Sequence, residues 1–189
     1  MRALLIVAVF CGLLAPAMAT PDDGLWAAIQ QRDHIVIVLR HGEVGRGSPT
    51  HFDASGRCEG EVMLTAKGQR QAKALGQLFA SKGLPPERLN VVASAMCRTR
   101  DTALLAFGKA ETDPALREFL SGGGRRMNEA IDAAEGWIRR LRGEKPVVLV
   151  THLPNIDALT GEQPNYGEAL VTESAPDGTL NVLGTLMLP

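Results

Sequence analysis

The feature that most constrains this sequence is a set of three short, almost wholly aliphatic runs, each ending in residues suited to holding an anion. His34-Ile35-Val36-Ile37-Val38-Leu39 stops at Arg40-His41-Gly42-Glu43. Leu89-Asn90-Val91-Val92-Ala93-Ser94 leads into Met96-Cys97-Arg98, and Val147-Val148-Leu149-Val150 ends at Thr151-His152. A β-branched run without polar alternation is the pattern of a strand covered on both faces, as in a parallel sheet.

Helical patterns separate these runs. Thr65 reads as an N-cap for a helix over Ala66 to Ser81, with Ala72, Leu75, Leu78 and Phe79 on one face and Gly83 as the stop. A second helix is expected from about Arg98 to Phe107, and a third, amphipathic one from Asn128 to Arg142. Val44 to Met63, rich in glycine, serine and charge, reads as a long loop, and Ala115 to Gly124 as irregular. Ala169 to Thr172 and Leu180 to Leu188 flank Pro176-Asp177-Gly178 in a hairpin pattern. Strands alternating with helices predict an α/β fold, a three-layer sandwich with a mostly parallel central sheet. Ligands of such sheets sit beyond the carboxyl ends of the strands, where Arg40, His41, Arg98 and His152 all fall.

The amino terminus carries a different signal. Met1-Arg2 precedes an apolar run from Ala3 to Leu14, and Ala17 and Ala19 stand at the −3 and −1 positions of a cleavage site. This pattern reads as a secretory signal peptide over residues 1–19, its apolar run too short to cross a bilayer, which takes about 20 apolar residues. The residues before Cys11 lack the small side chains of a lipoprotein site. The expectation is a single domain over 20–189, periplasmic or secreted, with no stable membrane insertion after cleavage. A formal net charge of −1 gives no electrostatic reason to expect nucleic acid. Two cysteines remain after cleavage, Cys58 and Cys97, and in an oxidising compartment they are expected to pair.

The residue types at the strand ends suit phosphoryl transfer. Charge on the transferred group spreads over three oxygens, so catalysis is mostly positioning and cationic stabilisation. Arg40 and Arg98 each offer a planar fork of donors. The imidazole of His41 can attack phosphorus and carry the phosphoryl group, and His152 can donate to another oxygen. No metal or other cofactor is needed, and none of the four histidines falls in a metal-ligand spacing.

Leu39-Arg40-His41-Gly42-Glu43 resembles the signature of the histidine phosphatase superfamily, which has a phosphoglycerate-mutase-like fold. Leu64-Thr65-Ala66-Lys67-Gly68-Gln69-Arg70-Gln71-Ala72 resembles its "L-(S/T)-x-x-G-x-x-Q-A" segment, and Ser94 to Ala103 its "S-x-x-x-R-x-x-x-T-A" segment. Val148 to His152 matches the segment bearing the second histidine. The resemblance implies a phosphohistidine on His41 and phosphate binding by Arg98 rather than Arg100. It departs at Val44-Gly45-Arg46-Gly47, where many members carry Thr and then Asn; Arg46, His51 and Arg57 are the loop candidates for that role. Leu153 stands where the acid-phosphatase branch has its proton-donating Asp, and Leu116-Arg117-Glu118 is the nearest match to the mutase-like "Leu-x-Glu", making Glu118 the candidate acid. Glu43 either touches substrate or caps backbone donors near the site. The short exported chain resembles the small periplasmic branch that includes lipopolysaccharide core heptose-phosphate phosphatase.

The expected function is an exported phosphomonoesterase acting on a phosphorylated small molecule or glycan. Two alternatives use the same pocket: a phosphoglycerate-type mutase and a non-catalytic module that binds a phosphorylated ligand.

Overall fold

The computed structural model describes residues 21–47, 52–119, 123–143 and 145–187, so the expected signal peptide and His51 lie outside the described residues. In chain order the elements are α1 (Pro21–Gln31), β1 (Ile35–Arg40), α2 (Ala66–Ser81), β2 (Asn90–Ser94), α3 (Cys97–Phe107), β3 (Glu111–Asp113), α4 (Gly123–Leu141), β4 (Val147–Thr151), α5 (Leu153–Thr160), β5 (Glu168–Ser174) and β6 (Leu180–Met187). One sheet runs β3-β2-β4-β1-β5-β6. The first four strands are mutually parallel, and β5 and β6 join antiparallel as the expected hairpin.

The aliphatic runs are buried on both faces because helices cover both. Ile35, Ile37 and Leu39 of β1 pack with Trp26 of α1, Leu75 and Phe79 of α2 and Phe107 of α3. Phe79 is edge-on to both Trp26 and Phe107, at 5.2 and 5.4 Å between centroids. Val36 and Val38 face the other layer, with Ala134 and Ile138 of α4 and Ile156 of α5. The expected three-layer α/β sandwich is what the chain forms.

Some elements were not legible. The helices α1 and α5 and the short edge strand β3 answer to no expectation from the sequence. Nor does α4 start at Asn128; it starts at Gly123, inside the stretch read as irregular. Glycine disfavours a helix interior, but the first-turn N–H groups need no intrahelical partner, so the run there is tolerated.

Two glycines set the approach of α2. A side chain at Gly76 would collide with the backbone of Ala106 on α3, and one at Gly68 with the backbone of Glu43. Thr65 caps α2 by accepting from the Gly68 amide at 3.0 Å, while its own amide donates to the Glu43 carbonyl at 2.9 Å. The helix therefore starts against the turn that leaves β1.

Candidate active site

The turn after β1 is held through its own backbone amides on three sides. The His41 amide donates to the Thr151 carbonyl of β4 at 3.1 Å. The Gly42 amide donates to Thr102 Oγ1 at 3.0 Å, and the Glu43 amide to Gln71 Oε1 at 3.2 Å. Thr102 stands one helical turn after Arg98 on α3, so one face of that helix both anchors the turn and presents the arginine.

Arg98 is the hub. It is 1% exposed, and its Nε donates to His41 Nε2 at 3.2 Å. Its Nη2 contacts Glu118 Oε2 at 2.8 Å and His152 Nδ1 at 3.1 Å. These contacts assign the tautomers. His41 Nδ1 meets the Gly42 carbonyl at 2.9 Å, which only accepts, so Nδ1 carries the proton and Nε2 keeps its lone pair. His152 Nδ1 accepts from Arg98, so its Nε2 carries the proton and faces Ser94 Oγ at 2.9 Å. The two rings lie 5.4 Å apart.

Burial and charge keep both imidazoles neutral. The His41 pKa is lowered to about 3, chiefly by burial, against the raising effect of the Gly42 carbonyl and with lesser lowering by the Arg98 and Arg40 guanidinium groups. His152, wholly buried, is pushed well below the usual histidine range for the same main reason. Glu118 is pushed up by burial, which outweighs the opposing pull of Arg98 and Arg40.

A cavity of about 190 Å³ opens here, lined by Arg40, His41, Val44, Gly47, Val62, Arg98, Glu118 and Tyr166. Two of its arginines keep a buried nitrogen without a hydrogen-bond partner, Arg40 Nε and Arg98 Nη1. Unpaired buried donors are costly, and two of them on cationic side chains in one cavity suit an oxyanion.

The sequence model of the histidine phosphatase superfamily (branch 1) matches residues 36–145, well over half of the chain. The chain belongs to the histidine phosphatase superfamily. Membership supports a phosphatase or mutase function on a phosphorylated substrate. No curated protein is similar enough in sequence to match. Among solved structures, the chain is similar to a functionally characterised open reading frame of Mycobacterium tuberculosis, with a TM-score of 0.60, 20% identity and coverage of 83% of this chain and 99% of that one. It is also similar to the protein histidine phosphatase SixA solved with tungstate, at 0.55 and 14%, covering 81% and 96%. A phosphoserine phosphatase of Entamoeba histolytica solved with 3-phosphoglyceric acid gives 0.54 and 14%, covering 80% and 95%. At these identities the likeness is one of fold.

Seen as a histidine phosphatase, the chain gathers Arg40, His41, Arg98, His152 and Glu118 at one place, but not every expected residue joins them. Glu43 turns away from the cavity: its carboxylate meets Lys67 Nζ at 2.7 Å and Thr65 Oγ1 at 3.2 Å, at the start of α2. Arg57 is exposed and paired with Asp53 at 2.7 Å, and Arg46 is exposed; neither lines the cavity. His152, expected to donate to a phosphoryl oxygen, instead has its proton on the nitrogen facing Ser94 and accepts from Arg98.

Cys58 and Cys97 are bridged, with Cα atoms 5.8 Å apart, directly before the hub arginine. Arg100 turns away from the cavity and reaches the Cys58 sulfur at 3.0 Å and the Gly56 carbonyl at 3.0 Å. Glu61 of the same loop accepts from the Cys97 amide at 2.7 Å, at the amino terminus of α3.

The residue that sequence reasoning missed is Tyr166, the single tyrosine of the chain, which lines the cavity with its ring 5.8 Å from that of His41. Its signal is one of topology and not of local pattern. A hairpin whose first strand runs antiparallel to β1 must begin beside the carboxyl end of β1, and Tyr166 lies just before that strand.

Proposed function

We propose that this protein is an exported phosphomonoesterase that cleaves a phosphorylated small molecule or glycan through a phosphohistidine on His41 Nε2. The observation that carries the reading is the assigned lone pair of His41 Nε2, 3.2 Å from Arg98 Nε, on a residue that lines a cavity whose two arginines each keep an unpartnered nitrogen. A neutral imidazole is a competent nucleophile, and burial keeps His41 neutral across the whole physiological range.

In the proposed first step the phosphoryl group of the substrate takes donors of Arg40 and Arg98. His41 Nε2 attacks phosphorus as the ester P–O bond breaks, and the leaving oxygen takes a proton from Glu118. The bound phosphoryl anion lies beside Glu118 in the cavity and disfavours its carboxylate, adding to the upward push of burial. Substrate binding thereby arms the acid. In the second step Glu118, now a carboxylate, takes a proton from water as its oxygen attacks phosphorus and the P–N bond breaks. The positive charge that develops on the phosphorylated imidazole is offset through the Nδ1–H bond to the Gly42 carbonyl.

Export rests on the residue pattern at 1–19 and on the disulfide, which persists in an oxidising compartment. Among the described residues no helix is long and apolar enough to cross a membrane. An aryl phosphate assay of the mature protein without any bisphosphate primer tests the reading: turnover is expected, and dependence on a primer would turn the reading to a mutase.

A further inference from the structure

We propose that Tyr166 is a positioning residue for the phosphate site, holding the Arg40 guanidinium by stacking so that its N–H donors stay free for the phosphoryl oxygens. The inference rests on the phosphatase reading above and concerns how its least-anchored cation is oriented.

Arg40 leaves β1 directly before the nucleophile and lines the same cavity. Its Nε is buried without a partner, and among the described residues no carboxylate lies within ion-pair distance of it. Its guanidinium carbon does sit 3.9 Å from the centroid of the Tyr166 ring. Arg98 differs, being fixed by hydrogen bonds to His41, Glu118 and His152.

The choice of an aromatic partner has a chemical consequence. A carboxylate would hold Arg40 by occupying two donors of its fork and cancelling its charge, and both are what a phosphoryl group needs. An aromatic ring attracts the cation through its face, whereas the guanidinium donors point outward in the plane. Stacking therefore orients the group and leaves its donors unused.

The fold fixes Tyr166 for this task. The strand β5 pairs antiparallel with β1, Ala169 opposite Leu39, so the residues before β5 return beside Arg40. The Glu168 amide donates to the Asn165 carbonyl at 3.3 Å, closing a turn with Gly167 at φ 82°, a value glycine adopts without strain. The Glu168 carboxylate accepts from the Asn165 amide at 2.8 Å and locks the turn.

The test is a double-mutant cycle on the mature protein, read by calorimetric binding of tungstate and by aryl phosphate kinetics. Tyr166→Leu should weaken tungstate binding and lower kcat/KM about tenfold, the size of a cation–π contact on a half-buried ring. Tyr166→Phe should stay within about twofold of wild type, because the face and not the hydroxyl is used. In an Arg40→Met background, Tyr166→Leu should cost nothing further. Phenylalanine analogues of rising ring fluorination at position 166 should weaken binding stepwise. A full loss in the Arg40→Met background, no loss in Tyr166→Leu, or a Phe variant as poor as Leu overturns the proposal. Wild type that binds tungstate without hydrolysing aryl phosphate sinks the phosphatase reading alone. Failure to bind tungstate at all sinks both.

Discussion

Arg98 Nε donates to His41 Nε2 across 3.2 Å, so the lone pair expected to attack phosphorus is held by the arginine expected to bind the phosphoryl group. One side chain links His41, His152 and Glu118, the proposed nucleophile, the second histidine and the proposed acid, since its Nη2 also meets the last two.

Replacement of Arg98 by Lys should be severe although charge is kept. A lysine ammonium is a point charge and cannot reach three partners with a planar fork. Turnover of an aryl phosphate by Arg98→Lys should fall by about 10²- to 10³-fold, the range for losing one transition-state donor. Near-normal kinetics would show that the hub geometry is dispensable.

Glu118→Gln should act selectively. Esters with poor leaving groups should slow far more than aryl phosphates, whose departing oxygen needs little protonation. Wild-type kcat should fall as pH rises through the raised Glu118 pKa, and the variant should lose that limb. Equal loss on both substrate types would remove Glu118 from the acid role.

The two buried histidines make stability depend on pH in a defined direction. Both pKa values are lowered on folding, so below the unfolded value of about 6.5 the unfolded chain binds protons that the native state refuses. Stability is therefore full above about pH 6.5 and falls on acidification toward pH 3, by up to about 1.4 kcal/mol per pH unit for each histidine. Urea titrations from pH 7 to 4.5 should show this slope, and His41→Asn should reduce it. An unchanged slope in that variant would mean that His41 does not titrate on unfolding.

The bridge between Cys58 and Cys97 closes a sequence separation of 39 residues. The chain-entropy relation gives about 4 kcal/mol for such a loop. Cys58→Ala/Cys97→Ala should lower stability by about 2–4 kcal/mol in urea. It should also raise KM, because the same loop carries Gly47 and Val62 into the cavity and Glu61 onto α3. Unchanged stability and KM would show that the loop is held by its other contacts alone.

Much of the site was legible because its residues sit where aliphatic strands stop. The runs at β1, β2 and β4 declare themselves, and Arg40, His41, Arg98 and His152 follow from where parallel strands place their carboxyl ends. Spacing along one helix also reads directly, as Arg98 and Thr102 show. Long-range returns do not. Tyr166 reaches Arg40 only because β5 comes back antiparallel to β1, which no local pattern announces. The charges of the Val44 to Met63 loop misled for a related reason. Side-chain direction in an irregular segment depends on its anchors, and the ones that matter here are the Cys58 bridge, Glu61 and the contact of Arg100 with Gly56. Arg57 spends its charge on Asp53 instead of the cavity.

The most direct measurement is a rapid acid-free quench of the mature protein with a phosphorylated substrate, followed by peptide mass spectrometry under conditions that spare the P–N bond. Phosphate is expected on the peptide bearing His41, absent from the peptide bearing His152, and lost in His41→Ala together with turnover. Turnover retained in His41→Ala, or phosphate accumulating on any residue other than His41, would contradict the mechanism.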